Sequence, residues 1–364
     1  MTRRTLVFGP AYLDRILRVN QPLLASDGGG PLDQSVDGRL RFGPGLTLVD
    51  PDGGLMELEL PADWPGPTGR VELWRTVAPP GSSLRRTVRG ISWSDELGGM
   101  GAGFAAALGG DLVSALGAEA DRTSQVVATQ LLRHGIPHHP IRFPEHPADW
   151  TLLITSGKFG DKLPIGFRGC HAALTSLAPW VDQSCALRVV AGLPNRIAAQ
   201  ALRAPGAGVR VFAPAMRNII DRDCPISRFA EAVDVLSCNR HEWEQLADRE
   251  EVAWKLSVLA ITEGADGCVI RFTNPVGEAI SLRVPAFPRS RPPRDTNRAG
   301  EAFASTLVAS LLDGGWEPGV TEESLIRAAA ERASAAAALV LDRLEFGFPT
   351  PREIDAALVV GRVP

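Results

Sequence analysis

The seven-residue run Asp295-Thr296-Asn297-Arg298-Ala299-Gly300-Glu301 constrains this chain more than any other stretch. It leads straight into Ala302-Phe303-Ala304-Ser305-Thr306-Leu307-Val308-Ala309-Ser310-Leu311-Leu312, where Phe303, Leu307 and Leu311 recur at helical spacing. The spacing predicts a buried helix that opens on the seven-residue loop. A helix N-terminus offers free backbone N–H groups and positive dipole charge, which suits an anion such as a phosphate. Ala299 and Gly300 are small enough for an anion to approach the backbone closely, and the flanking Asp295 and Glu301 add a candidate base. Together these features point to phosphoryl chemistry.

A chain of 364 residues has room for one large α/β domain or two smaller ones. Its hydrophobic and charged fractions, 45% and 22%, are those of an ordinary globular protein. A net charge of −4 gives no electrostatic case for nucleic acid or an acidic membrane surface as partner. Five widely spaced cysteines, Cys170, Cys185, Cys224, Cys238 and Cys268, include no C-x-x-C pair, and they read as buried reduced thiols. The opening Met-Thr-Arg-Arg leads into Leu6-Val7-Phe8-Gly9-Pro10, too short for a signal-peptide core, and no apolar run reaches membrane-spanning length. A cytoplasmic protein is expected.

Three zones differ in texture. Thr5 to Val19 reads as a strand and turn that includes the polar pair Asp14-Arg15. Residues 21–93 are rich in Gly, Pro and Asp. There, Leu46-Thr47-Leu48-Val49 and Leu55-Met56-Glu57-Leu58-Glu59-Leu60 flank Asp50-Pro51-Asp52-Gly53-Gly54, a hairpin signature, and Val71 to Val77 reads as a further strand. This zone is expected to be a β-rich lid or insertion. From Leu97 to about Arg343 strands and helices alternate: a helix closing at Gly135, strands at Ala186–Ala191 and Val209–Phe212 around a helix from Pro194 to Leu202, strands at Ala232–Ser237 and Leu256–Thr262, and an Ala-rich helix from Leu325 to Leu341. Such alternation predicts a mainly parallel sheet covered on both faces, with ligands at the carboxyl ends of its strands.

Several segments, taken in order, resemble the ribokinase-like, or PfkB-type, carbohydrate kinases. Gly9-Pro10-Ala11-Tyr12-Leu13-Asp14 is similar to the family's opening strand and its substrate-binding aspartate. Gly98-Gly99-Met100-Gly101-Ala102-Gly103-Phe104-Ala105 resembles the Gly-Gly substrate loop and following helix. Asn239-Arg240-His241-Glu242 matches N-x-x-E, associated with positioning magnesium through water, and Thr262-Glu263-Gly264-Ala265-Asp266-Gly267 resembles the turn beside the nucleotide. The run from Arg294 to Glu301 is similar to the signature D-T-x-G-A-G-D.

The resemblance implies a three-layer α/β/α sandwich formed by residues 1–20 and 94–364, with 21–93 as the lid, and ATP and Mg2+ as cofactors. By the same token Asp14, Gly98, Gly99 and Gly103 would contact the acceptor, and Thr262, Gly264, Gly267, Asp295 and Thr296 the nucleotide. Asn239 and Glu242 would serve the metal, while Glu301, Arg298, Ala299 and Gly300 would carry catalysis. A small sugar-like molecule bearing a hydroxyl would accept the phosphoryl group. Because lids of this family often pair between subunits, a homodimer is expected by resemblance alone.

Departures from the pattern matter as much. The family's final aspartate, the general base, is Glu301 here, which keeps the basicity but moves the carboxylate by one methylene. Arg298 replaces a glycine, where it would be strained if φ is positive. It would either point into solvent or pair with a transferring phosphate. Gly103 stands where an asparagine is usual, and Ala213-Pro214-Ala215-Met216-Arg217 keeps only the arginine of D-P-N-x-R. Two functional readings follow: a kinase acting on a sugar or nucleoside hydroxyl, or a ribokinase-fold binding or regulatory protein impaired in transfer.

Other constellations are weaker. Gly99-x-Gly101-x-Gly103 lacks the spacing of a dinucleotide fingerprint, and His134, His138 and His139 read as a solvated loop. Asp161-Lys162 and Arg168 read as exposed charges or as groups approaching the acceptor, and Glu242 as either a metal group or a helix-end acid.

Overall fold

A computed structural model describes residues 4–23, 36–41, 43, 45–66, 68–74, 86–156, 161–178 and 180–363. In chain order, β1 (Thr5–Phe8) and β2 (Tyr12–Val19) precede β3 (Val36–Arg41), β4 (Leu46–Val49), β5 (Leu55–Glu59), β6 (Gly69–Leu73) and a long β7 (Arg86–Gly98). Next come α1 (Met100–Leu108), β8 (Asp111–Leu116), α2 (Arg122–Arg133), β9 (His138–Arg142), β10 (Trp150–Ser156), β11 (Asp161–Phe167) and the short α3 (Cys170–Ala173). They are followed by β12 (Cys185–Ala191), α4 (Asn195–Arg203), β13 (Ala207–Ala213), α5 (Met216–Ile219), β14 (Val235–Asn239), α6 (Arg240–Gln245) and α7 (Arg249–Ala253). The chain ends with β15 (Val258–Thr262), β16 (Cys268–Thr273), β17 (Ala279–Val284), α8 (Ala299–Asp313), α9 (Glu323–Val340) and α10 (Pro351–Val360).

Nine strands form one sheet in the order β17-β16-β15-β14-β13-β12-β1-β8-β9. All neighbours pair in parallel except β16 and β17, which run antiparallel at one edge. Strand residues point alternately to opposite faces, and β1 uses both. Val7 packs into a core with Phe104 of α1, Leu307 and Leu311 of α8 and Ala330 of α9. Leu6 and Phe8 pack on the other side with Ile197 and Leu202 of α4 and Trp243 of α6. The result is three layers, α/β/α, as the alternation of elements predicts. Small residues let the helices close up: α8 and α9 pack side by side, and Ala329, Ala330 and Ala333 of α9 are fully buried.

The remaining eight strands close into a barrel in the order β10-β11-β3-β6-β4-β5-β7-β2. The predicted hairpin is present as β4 and β5, paired antiparallel around the turn at Asp50 to Gly54. Along β5, Met56 and Leu58 point into the barrel core, while Glu59 bonds Arg89 of the neighbouring β7 outside it. The strand expected over Val71–Val77 is observed as Gly69–Leu73, and Arg75 to Val77 lie outside the described residues. Residues 21–93 do not complete the barrel alone. β2, β10 and β11 come from the flanking sequence, because β10 pairs with β2 on one side and β11 on the other. β7 runs from the barrel directly into Gly98 and α1, so barrel and sandwich meet at the Gly98-Gly99 turn.

Two predicted strand starts differ from the structure. The strand expected from Ala232 begins at Val235, because Ala230–Ala232 closes a 3-10 turn. The one expected from Leu256 begins at Val258, where the ladder to Val235 starts. The five cysteines are free, four of them buried and Cys224 half-buried. Among the described residues no helix is long and apolar enough to cross a membrane.

Candidate active site

A pocket opens where the barrel, α1 and the N-terminus of α8 meet. It encloses about 520 Å³ of empty space, part of it open to solvent, lined by Tyr12, Asp14, Glu96, Gly98, Gly103, Asn297, Arg298 and Glu301 among others. Asp14 and Glu96 lie directly opposite each other on the antiparallel β2–β7 ladder. The Asp14 carboxylate rests over Gly98, where a Cβ would come within 2.4 Å of its Oδ2. Burial first, opposed by Lys162 and reinforced by Glu96, raises Asp14 to about 7. Burial also raises Glu96, against the pull of Arg298. Tyr12, with Arg168 stacked 5.3 Å over its ring, is likewise pushed up by burial and by Asp14.

The glycines of the loop are there for backbone contact. Gly99 has φ of 99°, and a Cβ on it would sit 2.3 Å from the Pro10 carbonyl oxygen. Gly101 presses on Gly9, where a Cβ would stand 2.4 Å from the Gly9 carbonyl carbon. The Ala102 amide donates to the Pro10 carbonyl. These contacts lock the β1–β2 connection, and therefore Asp14, against the start of α1. They also account for Gly99 and Gly101 without a dinucleotide.

At the other wall, α8 begins as predicted. Arg298 is its N-cap, at φ 69° and ψ 0°, and makes no side-chain cap bond. It is the sole non-glycine residue with positive φ among the described residues, a conformation that costs roughly 1–2 kcal/mol outside glycine. Its guanidinium turns inward and is about 10% exposed. It contacts Asp295 Oδ2 at 3.3 Å, the Arg343 carbonyl oxygen at 3.1 Å and Glu96 Oε2 at 3.8 Å. Asp295 shapes the approach: its Oδ1 accepts from the Asn297 amide at 2.9 Å. Lys162 of β11 donates to the Asn297 side-chain oxygen, linking barrel to loop; the backbone of Asp161 beside it is described but its side chain is not. An arginine can only donate, so it cannot cap the free N–H groups of the first turn. Gly300 is exposed, with open space where a Cβ would stand, and α8 carries no side-chain cap on its first turn. Thr296 is also exposed.

Glu301 occupies the first turn of α8 and faces the pocket. Burial raises its carboxyl above the ordinary range, opposed by its own backbone N–H, Arg298 and Lys162. Glu242 lies close enough for Glu301 to add to its own rise, and burial with that repulsion brings Glu242 to about 7. Asn239 and Glu242 form a capping box on α6: Asn239 Oδ1 accepts from the Glu242 amide at 2.8 Å, and Glu242 Oε2 accepts from the Asn239 amide at 2.9 Å. Both the helix-end reading of Glu242 and its nearness to the base are therefore present. Asn239 and Thr262 are register partners at the carboxyl ends of β14 and β15. Beyond Thr262, Gly264 (φ 59°) and Gly267 (φ 94°) shape the turn, and a Cβ on Gly267 would come within 2.1 Å of the Val284 carbonyl oxygen. The turn is braced by Arg240 and Arg283, both paired with Glu263.

The structure thus brings Asp14, Gly98, Gly99, Gly103, Arg298 and Glu301 around one pocket, with Asn239, Glu242, Thr262, Gly264 and Gly267 grouped at the neighbouring strand ends. Glu96 was not singled out from the sequence; its place opposite Asp14 depends on the β2–β7 register, which no local motif encodes. Phe346, beyond the last recognised motif, lines the pocket with Arg298 about 6.0 Å over its ring. Of the histidines expected in a solvated loop, His138 and His139 lie instead on β9, where His138 bonds Ser114 at 2.7 Å and His139 stacks on Trp180, and His134 packs against Phe346 of the pocket. Among the described residues one group of three potential metal ligands lies close together, Asp149, Cys170 and His171. There Asp149 accepts from the Gly169 and His171 amides, a clamp on the turn before α3.

The model of the pfkB family carbohydrate kinases matches residues 78–352. The chain belongs to the pfkB family. No curated protein matches it significantly in sequence. In structure, this pfkB protein is similar to a Methanocaldococcus jannaschii nucleoside kinase described as an archaeal member of the ribokinase family (14% identity, TM-score 0.67, 98% of each chain). It also resembles a Burkholderia thailandensis nucleoside kinase in complex with inosine (16%, TM-score 0.63, 99% of this chain and 100% of that one). A third neighbour is a Cryptococcus neoformans ribokinase in complex with ADP (16%, TM-score 0.60, 98% and 99%). At these identities the likeness concerns the fold, ribokinase-like over nearly the whole chain. Family membership supports a carbohydrate kinase in general terms, with a small hydroxyl compound as acceptor.

Proposed function

We propose that this protein transfers the γ-phosphoryl group of ATP to a hydroxyl of a sugar or related small molecule. The observation that carries the reading is the convergence of a raised carboxylate, Glu301 in the first turn of α8, with Asp14 on one pocket beside the N-terminus of that helix. Asp14 and Gly98 orient the acceptor, with Asp14 receiving hydrogen bonds from its hydroxyls. Glu301 takes the proton of the attacking hydroxyl, and its raised affinity for protons makes it a stronger base than an ordinary glutamate. The Ala299 and Gly300 amides meet the charge that develops on the transferring group, and Arg298 holds their loop against Glu96 and Asp295. Thr262, Gly264 and Gly267 border the nucleotide.

The residues suit magnesium by their chemistry: Glu242, raised in part by Glu301, offers the carboxylate oxygen a hard cation takes, and a cation bound there would relieve that repulsion. Asn239 and Glu242 would hold it through water, and bound there it neutralises phosphate charge. The dimer expected from lid pairing gains no support from the barrel. Among the described residues its eight strands close into one ladder, a topology that leaves the oligomeric state to a direct measurement.

Isothermal calorimetry with ATP, ADP and AMP, with and without magnesium, tests the reading. Magnesium-dependent binding of ATP and ADP is expected. No binding at millimolar nucleotide would sink the proposal and favour the second reading, a binding protein on a kinase fold. What recommends that second reading is the Arg298 guanidinium, which Asp295 and Glu96 already occupy.

A further inference from the structure

Gly103 sits inside α1, fully buried, and its backbone does not need glycine, because positive φ is found at other glycines and not at this one. Glycine in the body of a helix is unfavourable relative to alanine, so a position of this kind calls for a steric reason. The reason is on the facing helix. A Cβ at residue 103 would stand 3.2 Å from Cγ of Glu301, 3.5 Å from its Cβ and 3.4 Å from Cζ of Phe348. The first of these is tighter than side chains ordinarily tolerate, and the atom displaced is the stem of the pocket carboxylate, not the far end of a flexible chain. α1 and α8 pack against each other, which leaves the stem little freedom to retreat.

We propose that Gly103 is a positioning residue for Glu301: the space left by its missing side chain is the socket that sets where the Glu301 carboxylate stands. The catalytic consequence rests on the kinase reading above, whereas the steric coupling of the two residues does not. A shift at Cγ is passed on to a carboxylate one bond further out. Because misplacement on the order of 1 Å costs about 100-fold in rate, even a single methyl group at residue 103 should be felt.

A double-mutant cycle tests this on two readouts. Thermal unfolding of wild type, Gly103→Ala, Glu301→Ala and the double variant needs no substrate. If the socket is real, Gly103→Ala fails to raise Tm while Glu301 is present and raises it in the Glu301→Ala background, where the stem is gone. In turnover assays, Gly103→Ala should lower kcat at least tenfold with KM for ATP changed less than twofold, and should shift the acid limb of the kcat profile. A purely structural role would do neither of these. Gly103→Ser, if the alanine variant folds poorly, carries the same expectation. Equal Tm increments in both backgrounds overturn the coupling, whatever the activity. Coupled Tm values together with an unchanged kcat and pH profile in an active enzyme overturn the positioning role and leave the kinase reading standing. Absence of any turnover in the wild type overturns that reading, and the positioning role with it, without touching the Tm cycle.

Discussion

The two halves of the candidate site are built on opposite principles. At the strand ends beside Thr262, polar groups satisfy one another. Asn239 and Glu242 cap reciprocally, Glu263 is held by Arg240 and Arg283, and the turn is shaped by Gly264 and Gly267. Around the pocket, between the barrel and the start of α8, burial outweighs the pairing: Asp14, Glu96 and Glu301 are all raised by burial despite Arg298 and Lys162, and Arg298 holds a positive φ with its Nε buried and unpartnered. Glu242, the raised carboxylate of the first half, owes part of its rise to Glu301. Unrelieved charge therefore converges on Glu301. A self-satisfied region folds into shape on its own, whereas an unsatisfied one stores potential that a ligand can release.

Mutations can break or sharpen this contrast. The largest effect is expected at its centre: Glu301→Gln should lower kcat on the order of 10²–10⁴-fold, with little change in ATP affinity measured by calorimetry. The same group predicts a pH dependence. Because burial raises Glu301, the base is lost on acidification at a pH above the usual glutamate value of about 4.3, so kcat should fall earlier on the acid side than for an ordinary carboxylate. The pH profile of the wild type checks it directly.

Arg298 comes next. Arg298→Gly removes both the backbone cost and the clasp between Glu96 and Asp295. A kcat loss of about 10-fold is expected alongside a stability change of no more than roughly 1 kcal/mol, since relief of strain offsets lost pairing. Unfolding curves and steady-state rates separate the two.

Asp14→Asn should weaken acceptor binding yet stabilise the free protein. The folded state raises Asp14 from its ordinary value of 3.8 to about 7, so its ionisation opposes folding as pH rises through that window. At pH 8 the variant should melt roughly 2 °C higher and lose that advantage below pH 4. An unchanged Tm at pH 8 would remove Asp14 from the unsatisfied half.

Asp149 serves as the control: it does not line the pocket and reaches it only through Arg168, 3.9 Å away. Its hydrogen bonds and His171 hold it at about 2, so its contribution is present above the unfolded value of 3.8 and lost as pH falls through about 2. Asp149→Ala should cost about 2–3 kcal/mol in urea unfolding at pH 7, since it strands buried donors, and should leave the wild-type pH profile of kcat in place.

Much of this was legible in the sequence. The order of strands and helices, the α8 loop and the strand-end turn all rest on local signals: periodicity, glycine placement and contiguous motifs. What stayed hidden depends on pairing between distant segments. The barrel closes through β2, β10 and β11, and only their registers place Glu96 against Asp14 and Lys162 against Asn297. Likewise Gly103 and Glu301 read as two separate departures from the family pattern, nearly two hundred residues apart. That they touch is a fact of helix packing, which no single motif carries.

The most direct test of the central claim is release of ADP from ATP and magnesium, measured across a panel of sugars and nucleosides, with wild type beside Glu301→Gln. At least one hydroxyl acceptor should raise ADP release well above the acceptor-free rate, and the variant should abolish that increment while still binding ATP. Acceptor-dependent release that survives in Glu301→Gln would contradict the assignment of the base. ATP binding with no acceptor effect anywhere in the panel would contradict phosphoryl transfer itself.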